Sequence, residues 1–155
     1  MRSTHRTTPK CFFLAWIFGW VTGIFVPSGL IVAAALSPLV EGNNLLGDVF
    51  DVADEVAPAA KLSFAFIFAI LLMLARLLSY TRAACIDSSI GAASMILVLA
   101  LLPADWSRGF GVGLTGSRFA ALPTLFYILG GLLSGAAFSF FEARCERRSD
   151  ALEDR

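Results

Sequence analysis

The stretch LSFAFIFAILLMLARLLSYTRAACIDSSIGAASMILVLALL, residues 62–102, decides the fold class of this chain. It holds two apolar runs, Leu62 to Tyr80 and Ala83 to Leu102, separated only by Thr81 and Arg82. A bilayer's hydrocarbon core is about 30 Å thick and takes roughly 20 helical residues to cross. Both runs have that length, and neither leaves a polar face for water, so the pair is expected to cross lipid as a helical hairpin.

Two further runs lie outside it, Cys11 to Val40 and Phe119 to Phe141. The whole chain of 155 residues is 57% hydrophobic and only 15% charged, against about 25% charged in soluble domains, and its mean hydropathy is +0.77. Once the runs are removed, no segment remains that is large enough to build a soluble core. The expected fold is an all-α integral membrane protein with four transmembrane helices in an antiparallel bundle. Its spans lie at about 11–40, 62–80, 83–102 and 119–141, within a membrane domain 11–141. Residues 1–10 and 142–155 form an N-terminal tail and a charged C-terminal tail.

The positions of the charges give an expected orientation. Nine of the twelve Lys and Arg fall on one side: Arg2, Arg6 and Lys10, then Arg76 and Arg82, then Arg144, Arg147, Arg148 and Arg155. Lys61, Arg108 and Arg118 fall on the other. Positive loops are retained in the cytoplasm, so both tails are expected inside. The connection from Glu41 to Lys61 is then external and acidic. Within it Leu45, Val49, Val52 and Val56 recur at helical spacing, while Asp48, Asp51 and Glu55 share another face. That pattern is expected of a short amphipathic helix on the membrane surface, with a solvated loop as the alternative.

Cys11, Cys85 and Cys145 all map to the cytoplasmic ends of spans. Free thiols are the expectation there, and an odd count argues against a disulfide framework. There is no CxxC and no histidine beside them, so no metal site is expected. Residues 1–35 also resemble a secretion signal, with a basic start, an apolar middle and a Pro27-Ser28-Gly29 break before Ala33, Ala34 and Ala35. The apolar run continues to Val40, longer than the 7 to 15 residues of a signal core, and this favours a retained helix that Pro27 kinks.

Gly19 and Gly23 form a GxxxG in the first span, and Gly131 and Gly135 form another in the fourth. Lipid tails are as apolar as leucine, so membrane helices associate by close contact, which glycine permits. These four are the expected helix-packing residues, for contact between the first and fourth helices or between two copies of the chain. Trp106 and Tyr80 fit the aromatic belt at the headgroups, whereas Trp16 and Trp20 lie deeper and are expected to fill a helix contact.

Arg76 and Asp87 each enter the membrane by one turn, about 6 Å, from the same hairpin, and their equal depth makes them an expected intramembrane pair. One reading makes Asp87 a proton or cation ligand with Arg76 as its counter-charge. The simpler one notes that a base at a helix C-terminus and an acid at a helix N-terminus both suit the macrodipole. Gly111, Gly113 and Gly116 spell GxGxxG, but between membrane spans and without a preceding strand they are read as a flexible turn.

No catalytic residue, cofactor or nucleic-acid partner is expected, since the one histidine, His5, lies in the tail and HExxH, GxSxG and P-loop patterns are missing. The expected function is a non-enzymatic accessory subunit, in contact with lipid and with a membrane-protein partner or a second copy. A bacterial inner membrane is the expected location. Two alternatives stay open: a small homo-oligomeric transporter or channel with Arg76 and Asp87 near its polar path, and a membrane enzyme working at the cytoplasmic face through Cys85 or Asp87.

Overall fold

The computed structural model describes residues 9–34, 44–55, 58–78, 83–101 and 121–153. Regular structure among them is entirely helical: α1 (Pro9–Ala33), α2 (Leu45–Glu55), α3 (Pro58–Leu77), α4 (Ala84–Leu101) and α5 (Ala121–Glu153). Among the described residues, four helices are long and apolar enough to cross a membrane: α1, α3, α4 and the Thr124–Ser149 part of α5. Expectations attached to residues 1–8, 35–43, 56–57, 79–82, 102–120 and 154–155, among them His5, Tyr80, Trp106 and the GxGxxG glycines, lie outside the described residues.

The helix boundaries follow from local chemistry. Pro9 and Pro58 open α1 and α3, where the missing N–H costs nothing and the fixed φ is already helical. Asn44 caps α2, its Oδ1 accepting from Gly47 N at 3.3 Å. Ala83 O accepts from Ile86 N and Asp87 N at 2.9 and 3.2 Å, which starts α4 just ahead of the acid. Pro27 lies inside α1 and the helix continues through it to Ala33. α5 is 33 residues long, about 50 Å, so residues 142–153, expected as a charged tail, continue the helix beyond the apolar run.

α5 is the central element, since its most extensive contacts are with α1 on one side and α4 on the other. Rising numbers in α1 meet falling numbers in α5: Cys11 with Cys145, Gly19 with Ser134, and Pro27 with Gly130. Ser134 Oγ donates to Gly19 O at 2.7 Å. α3 is joined to α1 through the indoles, as Trp16 Nε1 donates to Ala65 O at 3.1 Å and Trp20 Nε1 to Lys61 O at 2.9 Å. Phe64, Phe68 and Phe138 are fully buried at the centre, with the Phe68 and Phe138 rings edge to face at 6.1 Å.

Only 28% to 39% of each span is buried within the chain. The remainder is apolar, with Phe66, Met73, Leu101 and Phe140 more than half exposed, an outer surface suited to lipid. α2 packs on α1, with the Phe25 and Phe50 rings edge to face, and Val52 and Ala53 are buried. Val52 is buried and Asp51 exposed, as expected, but two positions differ. Asp48, assigned to the polar face, is buried, and Leu45, assigned to the apolar stripe, is exposed, because contact with α1 selects which face turns inward.

Candidate functional site: a buried ion cluster where three helices meet

Arg76 is in the last turn of α3 and Asp87 in the first turn of α4, where each opposes the local end of the helix dipole. The structure brings them together, with Arg76 Nη2 at 3.0 Å from Asp87 Oδ2. The same nitrogen lies 2.9 Å from Glu142 Oε2 on α5, an acid that sequence reasoning assigned to the tail. The side chain of Asp87 is 1% exposed and that of Glu142 4%, whereas Arg76 is 15% exposed. One guanidinium therefore joins three helices.

The glycines of α4 and α5 explain how two acids reach one base. A Cβ at Gly135 would collide with the Asp87 carbonyl oxygen, one at Gly91 would collide with Gly131 O, and one at Gly131 would lie 2.6 Å from Gly91 O. The two backbones thus touch, and Asp87 is carried onto the face of α5 that holds Glu142 two turns after Gly135. Phe138, between them in sequence, supports the base from below, its ring centroid 5.7 Å from Arg76 Cζ. Nε and Nη1 of Arg76 are buried with no hydrogen-bond acceptor among the described residues.

No family model, no curated protein and no solved structure matches this chain.

The four expected packing glycines are all buried, but the two pairs do not meet. Gly19 faces Phe68, Ser134 O and Phe138; Gly23 faces Phe64; Gly131 and Gly135 face α4. The small residues of α5 that meet α1 are instead Gly130, where an added Cβ would lie 2.7 Å from the Pro27 ring, and Ser134, and the same contact continues through Phe138, Phe141 and Cys145. The faces expected to receive a partner or a second copy are consequently occupied inside one chain. A partner must use other surfaces.

The cysteines also need correction. Cys11 and Cys145 are joined as a disulfide with Cα atoms 5.5 Å apart, across 134 positions of sequence, and only Cys85 is free and exposed. The odd count left one thiol over and did not prevent a pair, because the α1–α5 contact places the first turn of one helix beside the penultimate turns of the other. Ser149 Oγ lies 3.9 Å from Cys11 Sγ.

Two apolar grooves flank α3. One, about 650 Å³, runs between α1 and α3 past Phe12, Phe13, Trp16, Phe66, Met73 and Arg76. The other, about 590 Å³, runs between α3 and α4 past Leu74, Leu78, Cys85, Ile86 and Ile90. The α3 ridge between them carries Phe66, Ile70, Met73 and Leu77, all exposed, at spacings of four, three and four residues.

Proposed function

We propose that this chain is a non-enzymatic component of a membrane complex, an antiparallel four-helix bundle of the bacterial inner membrane with both termini in the cytoplasm and α3 turned toward its partner. The observation that carries this reading is the α3 ridge. It is the least covered span, its exposed residues Leu62, Phe66, Ile70, Met73, Leu74 and Leu77 form one broad apolar face, and the grooves beside that face leave room for a neighbouring helix to pack ridges into grooves. Arg76 is held in the ion cluster and does not act as a loop charge, and the remaining Lys and Arg still divide eight to three in favour of cytoplasmic ends. α2, with Leu45, Leu46 and Phe50 exposed beside Asp51 and Asp54, suits the external headgroup layer.

The test is co-purification in a mild detergent. A stoichiometric partner that is lost from Ile70→Trp/Met73→Trp, with Leu133→Trp on α5 as the control that keeps it, supports the reading. A protein that purifies alone and monomeric contradicts it.

The ion cluster favours a second reading, a small transporter. Ionisable groups inside membrane helices are costly and commonly mark ion or proton routes, and Arg76, Asp87 and Glu142 lie together where three helices meet. Purified protein in liposomes would then move protons or a solute, and Asp87→Asn and Glu142→Gln would stop it. Transport unchanged by both substitutions, or no transport at all, removes this reading.

A further inference from the structure

We infer that Cys11 and Cys145 form a redox-operated clamp at the cytoplasmic end of the bundle, a dithiol in ordinary growth and a disulfide when the surrounding compartment turns oxidising. The inference rests on the proposed orientation of the chain. Two independent observations meet in it.

The first is the pairing itself. The cysteines are brought together by the packing of α1 on α5, between two helices that cross the membrane at opposite ends of the sequence. The second is the charge around them. Lys10 precedes Cys11, and Arg144, Arg147 and Arg148 surround Cys145, which is the signature of a cytoplasmic membrane end. Disulfides that are structural belong to oxidising compartments, while those that form in the cytosol are as a rule transient and serve catalysis or sensing. A pair built into the basic end of a membrane bundle belongs to the second kind.

The surroundings give the clamp something to hold. Phe12, the residue after Cys11, packs edge to face on Phe138 at 5.4 Å, and Phe138 is the ring beneath Arg76. Pro9, Phe12 and Phe13 wall the groove that contains Arg76. Cys145 follows Glu142 by one turn of α5. With the bond closed, the first turn of α1 is fastened over the ion cluster. With it open, that turn is held by packing alone and can lift, opening the α1–α3 groove toward the guanidinium.

The chemistry is exchange with a small disulfide, which is the oxidant. The Cys145 thiolate, half-buried and so the point of entry, attacks one sulfur of that disulfide and releases the first small thiol. The Cys11 thiolate, 1% exposed, then attacks the mixed disulfide at Cys145 and releases the second. One protein disulfide forms, one small disulfide is reduced by two electrons, and the two cysteine protons end on the two thiols released.

The full chain is tested in intact cells with and without the thiol oxidant diamide. Cells are quenched in acid, free thiols blocked with N-ethylmaleimide, disulfides reduced, and the newly exposed thiols counted by mass-tagged maleimide. A reporter at Arg155 gives sidedness in the same cells. Expected are no protected thiols before the oxidant and two after it, with the protection lost in Cys11→Ser and Cys145→Ser and kept in Cys85→Ser. In purified protein, reduction is expected to raise hydrogen exchange in residues 9–16 and leave α4 unchanged. Thiols protected before the oxidant, with Arg155 inside, would make the bond a permanent brace and overturn the clamp while leaving the orientation intact. Protection before the oxidant with Arg155 outside overturns both, and no protection after the oxidant overturns the clamp alone.

Discussion

Removing Arg76 should destabilise this helical fold far more than removing the whole ion cluster. Arg76→Met keeps the length of the side chain and deletes the guanidinium whose Nη2 lies within 3.0 Å of both acids. Breaking a buried ion pair by taking one partner costs about 3 to 5 kcal/mol, because the charge left behind has lost its counter-ion in a medium that cannot solvate it. Arg76 is 15% exposed, so its burial is incomplete, and the lower figure, about 3 kcal/mol, is the one to expect. That corresponds to roughly a hundredfold change in the ratio of folded to unfolded protein. The triple variant Arg76→Met/Asp87→Leu/Glu142→Met removes every charge at once, and since replacing a whole buried ion cluster by apolar side chains is often neutral, it should regain most of the loss. The assay is detergent-titrated unfolding followed by the fluorescence of Trp16 and Trp20, whose indoles are bonded to the α3 carbonyls of Ala65 and Lys61 and so report the α1–α3 contact. Equal stability of Arg76→Met and the parent, or a triple variant weaker than the single one, would refute the claim that this cation ties the three helices.

The glycine contacts predict an asymmetry between sites. Gly135→Ala places a Cβ against the Asp87 carbonyl and should lower stability by about 1 to 3 kcal/mol in the same titration, as overpacking does. Gly29→Ala, with nothing within 4 Å of the added atom, should leave the midpoint unchanged. Ser134→Ala deletes the 2.7 Å bond to Gly19 O and is expected to cost about 0.6 kcal/mol, the average for an interhelical hydrogen bond in a membrane; a loss of 3 kcal/mol would mean that this serine does more than join α1 to α5.

The four spans were legible because twenty apolar residues in a row have few folded solutions other than a membrane helix. Arg76 and Asp87 were legible together because they are only 11 positions apart, one near the end of an apolar run and the other near the start of the next. Glu142 was missed at the point where the apolar run stopped at Phe141, since everything beyond was assigned to a solvated tail. Its signal was nonetheless present, as Gly131, Gly135, Phe138, Glu142 and Cys145 recur at spacings of four, three, four and three and so form one face of α5. The glycines marked close approach correctly, but a small residue does not specify which helix will approach it, and Gly131 and Gly135 met α4 while α1 met Gly130 and Ser134. The Cys11–Cys145 bond was out of reach for a related reason. A pairing across the full length of the chain depends on which spans are neighbours, and hydropathy carries no information about neighbours.

Threading through the bilayer is the claim on which the other proposals rest, and sidedness reporters fused at Phe50, Arg82, Arg108 and Arg155 test it most directly. Four crossings with cytoplasmic ends predict Arg82 and Arg155 inside with Phe50 and Arg108 outside. Reporters at Phe50 and Arg155 on the same side of the membrane would contradict it.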